Sequence, residues 1–364
     1  VLAGPQAAMT LGDFGANVVK VESPAGDETR DWKPPVDDRG RATYFLTVNR
    51  NKHSVALDLK DPEDLKLAAE LARRADVLIE NFRPGTMERF GLDFEAVRKD
   101  NPGIVYCSIT GFGRGEGAAL PGYDPLVQAL SGLMSVTGPP DGEASKVGVA
   151  LVDVIAGLNA SNGILAALRG RDATGEGQRV EIDLLSTALS ALANQASSYL
   201  NTGVAPSRLG NVHPSIEPFS TYAASDGPMM ICAGNDRHFA SLAQVLGVPE
   251  LADDDRYASN GSRVENREAL RAEIEAQLAK RPVADWVEDL SFAGVPAGPV
   301  NDIEGGFDLA ESLGLDVVDE IDGIRIPASP IQLSEDPPEI RLAPPELDGQ
   351  GEMLRAWLAG PDLS

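Results

Sequence analysis

The chain has 364 residues, 43% of them hydrophobic and 24% charged, enough apolar material for a large core and too much for a disordered chain. Its 56 acidic residues outnumber 31 basic ones, and the net charge of −25 excludes a broad phosphate-binding face and so a nucleic-acid partner. Two distant cysteines, Cys107 and Cys232, exclude a disulfide framework, and three histidines leave little material for a metal site or histidine-based catalysis.

The opening Val-Leu-Ala-Gly-Pro reads as a strand end entering a turn, with more chain expected before Val1. A strand follows over 17–22. Asp61 and Pro62 then start a helix, one as its cap and one at its first position, and Leu65, Ala68, Ala69, Leu71 and Ala72 recur at helical spacing up to residue 74. Short apolar strands are expected at 77–80 and 104–110, helices at 123–136 and 150–169, a turn at 174–177, and a strand at 178–183 running into a helix that ends near 200. Beyond 200 come strands at 219–223 and 229–232, a helix over 239–246, and a charged helix over 263–280 with a solvated face. Residues 294–300 form a rigid turn-rich connection. A strand at 324–326, a proline-rich meander and a helix ending near 359 complete the chain. The alternation predicts a large Rossmann-like α/β domain with a mainly parallel sheet over 1–200, to which 320–364 returns, and a smaller α+β domain with linkers over 201–319. No basic leader opens the sequence, and Asp153, Asn159, Asn162 and several glycines interrupt the most apolar stretch. That leads to the expectation of a cytoplasmic protein that does not span a membrane.

Asp153 is the only ionisable residue between Val147 and Leu168. A carboxylate on so apolar a segment is either held in a dry pocket, where desolvation raises its pKa, or serves as a helix cap on a polar stripe. The run Gly111-Phe-Gly-Arg-Gly-Glu-Gly117 fits a loose dinucleotide pattern, but Leu120-Pro121 interrupts any helix there, so a flexible connector near a site is expected. Arg30, Arg83 and Arg89 sit beside turn residues, where forked donors suit phosphate groups or simply solvate the surface.

Taken together, Ala3-Gly-Pro5, Leu11-Gly-Asp-Phe-Gly-Ala16, Gly26-Asp-Glu-Thr-Arg30, Asn49-Arg-Asn-Lys52, Glu80-Asn-Phe-Arg-Pro-Gly85, Ser108-Ile-Thr-Gly-Phe-Gly113, Gly122-Tyr-Asp124 and Gly294-Val-Pro-Ala-Gly-Pro299 occur in an order that resembles the class III CoA-transferases. This is the formyl-CoA transferase type, which also includes the α-methylacyl-CoA racemases. Thr43 to Asn51, Arg208 to Ile216 and Ala233 to Asp236 are most similar to the succinyl-CoA:dicarboxylate, glutarate-type branch. The resemblance covers nearly the whole chain. It implies a fold of two interlocked chains, a homodimer, with no bound cofactor or metal and coenzyme A entering as an acyl-CoA co-substrate alongside small carboxylic acids.

The resemblance places Asp153 at the family's catalytic aspartate, which forms covalent intermediates. Val1, Ala3, Arg30, Leu57, Asn81, Phe82, Arg89 and Tyr123 match CoA-contacting positions, and Asn49 to Lys52 match a nucleotide-contacting turn. A second substrate carboxylate would need a cation, for which Arg208 or His213 is a candidate; the alternative is that their segment only orders a domain junction. Leu2 stands where formyl-CoA transferase has a glutamine, which points away from a formyl or oxalyl substrate. The racemases place a histidine at Tyr123 and a glutamate near Asp236, so transfer is favoured over racemisation. An idle acyl-CoA-binding protein is the remaining alternative.

Overall fold

The computed structural model describes residues 1–360. The chain divides into two compact units: Val1–Leu133, Lys146–Val204 and the chain from Gly314 onward in one, Met134–Ser145 and Ala205–Leu313 in the other. Residues 134–145, inside the range expected of the large domain, thus fold with the second unit.

The first unit is built on parallel strands. β1 (Val18–Glu22) pairs with β2 (Lys52–Ala56), while β3 (Val77–Glu80), β4 (Val105–Thr110) and β5 (Arg179–Asp183) form a second sheet with β4 central. Every residue of β4 is buried, as a parallel strand covered on both faces requires. The Pro62–Arg74 helix begins as its sequence dictates, with Asp61 accepting from the N–H groups of Glu63 and Asp64. A long helix, Leu151–Thr174, ends at Gly175 with φ at 77°, a conformation that favours glycine. By length and composition this helix could cross a membrane. Here its Val152, Ala156, Ala160, Ile164 and Ala167 form a core with Val105, Cys107 and Ile109 of β4.

The turn expected at the start of the chain is instead a helix, Ala3–Asp13. It lies against the long helix so closely that a Cβ on Gly157 would stand 2.9 Å from the Ala3 carbonyl oxygen. The helix expected over 123–136 breaks into Asp124–Leu130 and Leu133–Val136 around Gly132 (φ 88°). The strand at 324–326 proves to be half of a hairpin, β9 (Val318–Ile321) and β10 (Ile324–Pro327), joined by Asp322 and Gly323 at positive φ.

Residues 49–52, expected to touch a nucleotide, are buried and tie down the returning tail. Asn51 Oδ1 accepts from the N–H groups of Arg341 (2.7 Å) and Leu342 (3.0 Å), and its amide donates to Asp13 and to the Glu339 carbonyl. Arg50 forms a two-pronged ion pair with Asp13. The Lys52 ammonium donates to Asn49 Oδ1 and two carbonyls, and burial holds its pKa well below the usual lysine range.

The second unit is α+β. β6 (Phe219–Ala223), β7 (Pro228–Cys232) and β8 (Ala297–Pro299) form an antiparallel sheet, so the connection expected over 294–300 contains a strand. Phe239, Leu242, Leu270, Ile274, Trp286 and Leu290 from the covering helices pack with Tyr222, Met229 and Ile231. The helix expected over 263–280 is two, Asn260–Glu265 and Arg267–Leu278, and Arg263 is not on a solvated face: it is 0% exposed. Its guanidinium donates to the carbonyls of Glu217 and Tyr257 and to Asp236 Oδ1, and stacks 4.6 Å from the Phe239 ring.

Candidate active site

Asp153 lies in the first turn of the Leu151–Thr174 helix, half-buried. That helix begins at Ala150, which has no side chain to cap it. The cap comes from Asp124, 29 residues before Asp153, whose Oδ2 accepts from the backbone N–H groups of Val152 (2.8 Å) and Asp153 (3.1 Å). Asp124 is itself buried at the start of the Asp124–Leu130 helix, where Pro125 needs no N–H partner. One turn on, Gln128 donates to Asp124 Oδ1 (2.6 Å), and its carbonyl oxygen accepts from the Val147 N–H (2.8 Å).

Burial pushes the Asp153 carboxyl up to about 6, with the Asp124 charge adding to the shift. Leu2, Met9 and Val48 form a small apolar cluster joined by Val1, Tyr44, Ala150 and Val154, the last two flanking the Asp153 turn. The Tyr44 phenol is raised by burial and then by the charges of Asp153 and Asp124. Tyr44 also walls an open cleft of about 540 Å³, together with Trp32, Lys33, Pro34, Thr43 and Thr47. Tyr44 thus links the Asp153 turn, through Ala150 and Val154, to a ligand-sized opening, on a helix start that fixes the carboxylate's position.

Three of the residues matched to CoA contacts lie around the start of the first helix. Val1 belongs to the Tyr44 cluster, Ala3 opens the first helix, and the Asn81 side chain lies beside Gly4, 4.0 Å from where a Cβ would stand. Asn81 and Phe82 are exposed on the turn after β3, which Glu80 holds by accepting from the Phe82 N–H and the Ser108 hydroxyl. Leu57 is buried with Met87 of the short Thr86–Phe90 helix that carries the exposed Arg89. Tyr123 is exposed immediately before Asp124. Arg30 is differently placed: its Nε and Nη2 bind both oxygens of Glu22, and its guanidinium stacks 3.8 Å from the Phe45 ring. The glycine-rich segment is pinned at its base, since a Cβ on Gly111 would stand 2.5 Å from the Gly122 Cα. It closes in a short 3-10 turn, Glu116–Ala119, and the next α-helix starts only at Asp124, as expected for a connector and not for a dinucleotide loop.

In the second unit, Arg208 donates to the carbonyls of Pro139 (3.3 Å) and Gly142 (3.0 Å), and His213 Nδ1 accepts from the Ser215 N–H while its ring edge meets Phe219. Both thus order local loops. Among the described residues no cluster of histidine, cysteine, aspartate or glutamate is arranged to hold a metal ion. Asp124, Gln128 and Tyr44 are the site residues that sequence reasoning did not single out. Asp124 carried a signal as the last residue of the Gly-Tyr-Asp motif and Tyr44 as part of the Thr43 to Asn51 segment, whereas Gln128 carried none.

The family model for CoA-transferase family III matches residues 1–351. The chain belongs to that family. This CoA-transferase is 41% identical to the acetyl-CoA:oxalate CoA-transferase of Acetobacter aceti, across 100% of this chain and 94% of that one. It is 42% identical to the succinate–glutarate CoA-transferase of Agrobacterium fabrum, across 97% and 92%. A crystal structure of a CAIB/BAIF family protein from Brucella suis, 41% identical, superposes with a TM-score of 0.89 over 98% of this chain and 96% of that chain. Membership makes a CoA thioester the co-substrate of this transferase, and its α/β fold with parallel sheets is that of its solved relatives.

Proposed function

We propose that this transferase moves coenzyme A from an acyl-CoA donor, with succinyl-CoA the expected one, to a carboxylic acid, through covalent intermediates on Asp153. A carboxylate oxygen of Asp153 attacks the thioester carbonyl, the C–S bond breaks, and a mixed anhydride and CoA thiolate result. The thiolate attacks the aspartyl carbonyl, releasing the donor carboxylate and leaving an aspartyl-CoA thioester. The acceptor carboxylate attacks that thioester and expels the thiolate, which then attacks the acceptor acyl carbon, forming the new thioester and freeing Asp153. One difficult exchange becomes four acyl transfers between groups of similar reactivity.

The observation that carries this reading is the half-buried Asp153 with its carboxyl at about 6. Such a group is ionised at neutral pH yet poorly hydrated, which favours nucleophilic attack and protects an anhydride from water. In the same reading Val1, Ala3, Leu57, Asn81, Phe82, Arg89 and Tyr123 contact CoA, with Arg30 reaching a phosphate only alongside its Glu22 pairing. Arg208 and His213 are the candidates for a distal substrate carboxylate, although their present partners favour the loop-ordering alternative. Similarity does not select the acceptor, since relatives named for oxalate and for glutarate are 41% and 42% identical. An interlocked homodimer acting in the cytoplasm completes the proposal. The racemase alternative gains nothing from Asp236, which Arg263 holds.

Incubation with succinyl-CoA should leave a protein-bound CoA that hydroxylamine releases and Asp153→Ala does not form. Full exchange by Asp153→Ala would overturn the mechanism. Solvent deuterium entering the α-carbon of a 2-methylacyl-CoA would instead identify a racemase, and CoA binding with no adduct and no turnover across acceptor acids an idle binding protein.

A further inference from the structure

We infer that Gln128 is a positioning residue of the transfer reaction, holding the Asp124 carboxylate against the start of the long helix and through it the orientation of Asp153. The inference rests on Asp153 being the nucleophile. Gln128 is 0% exposed and grips both flanks of the helix start. Its amide donates to Asp124 Oδ1 (2.6 Å) and more weakly to the Val149 carbonyl (3.4 Å), while its oxygen accepts from the Val147 N–H (2.8 Å). Residues 147–149 are the chain that leads into the helix, and Asp124 is the group that caps it. The two carboxylate oxygens of Asp124 therefore have separate tasks: Oδ1 is anchored by Gln128, and Oδ2 faces the N–H groups of Val152 and Asp153. Without the anchor the carboxylate is free to rotate about its last side-chain bond, and the first turn of the helix loses its acceptor.

Two titratable groups are coupled to Asp153 from the packed elements around it: Asp124, whose charge raises it, and Tyr44, whose phenol the Asp153 charge raises. Of these, Asp124 is the one Gln128 restrains. Loss of the anchor lets the like charge swing away and admits water to a frayed turn, and both changes favour the ionised nucleophile. The acid limb of the reaction should therefore move to lower pH while the plateau rate falls, because the carboxylate loses its fixed aim. Loss of stability alone would lower the rate without moving the limb.

The test follows adduct formation on the full chain by intact mass, across about pH 4.5 to 8, with whichever of succinyl-CoA and acetyl-CoA labels the wild type. Gln128→Met keeps the length and removes the donor. Its midpoint should fall by about half to one pH unit and its plateau by about tenfold. Backbone hydrogen exchange at Val152 and Asp153 should quicken in the same variant. If Gln128→Met does not fold, Gln128→Asn retains an amide but withdraws it by one methylene, and the same shift is expected. A folded variant with an unmoved midpoint overturns the inference, whatever its rate. Asp153→Asn, run alongside, separates the two ideas. An adduct surviving there removes the nucleophile and this inference with it, whereas an adduct lost there with unmoved Gln128 midpoints overturns this inference alone.

Discussion

Replacing Asp153 with asparagine should stabilise the protein while ending transfer. The carboxyl moves from an ordinary 3.8 to about 6 in the fold, first because burial strips its water and then because Asp124 faces it. About two pH units at roughly 1.4 kcal/mol each set a ceiling near 3 kcal/mol, and the water that a half-buried side chain keeps reduces this to about 1–2 kcal/mol. A raised folded value means that the folded chain binds this proton more tightly than the unfolded chain does. The penalty is therefore absent below 3.8, grows as the pH climbs from there to about 6, and is constant above that. Asparagine, neutral throughout, escapes it. Thermal unfolding followed by circular dichroism should place Asp153→Asn about 1–3 °C above the wild type at about pH 8, with roughly half that gain at about pH 5. An equal gain at both values, or none at the higher one, would refute the desolvation argument.

Three further substitutions test how the arginines are used. Arg89→Ala should raise the KM for acyl-CoA about tenfold with an unchanged Tm, because the side chain is exposed and its hydrogen bond is only to Thr86. Arg30→Ala should also lose about 2–3 kcal/mol of stability, since it strands the buried Glu22 carboxylate; equal Tm values for the two variants would contradict that placement. Arg263→Ala removes a buried guanidinium from Glu217, Tyr257 and Asp236 and should cost about 3–5 kcal/mol, read as a lower urea midpoint. A wild-type midpoint would mean that this network contributes little.

What the sequence revealed depended on whether the signal was local. The Pro62–Arg74 helix was legible because its cap, first-position proline and apolar spacing lie in one stretch. The Ala3–Asp13 helix was hidden by Gly4, Pro5 and Gly12, and Gly12 is there for packing: a Cβ would stand 2.9 Å from that of Asn51. The Asp322-Gly323 turn was a readable hairpin signal, but Asp319 and Glu320 masked the apolar alternation of β9. Arg263 shows the opposite failure. Its helical spacing resembles a solvated face, and only the folded carbonyls of Glu217 and Tyr257 reveal why a charge belongs inside. At the candidate site, Asp153 was conspicuous as a lone charge in an apolar run, whereas the work of Asp124 and Gln128 is done across a gap in sequence that no periodicity records.

The anchoring of the tail on Asn51 also imposes an order in time. Asn51 accepts from the N–H groups of Arg341 and Leu342, and Arg74 donates to the carbonyls of Leu358 and Gly360, all made after the rest of the first unit. Until then Asn51 and Arg74 have their earlier partners, Asp13 and Glu70, and the parallel sheets wait for a closing segment not yet made. The second unit, apart from its short early segment, runs in one stretch from Ala205 to Leu313 and is complete well before then. A nascent chain thus spends an interval with its first unit open, which is the interval in which chaperones would find it.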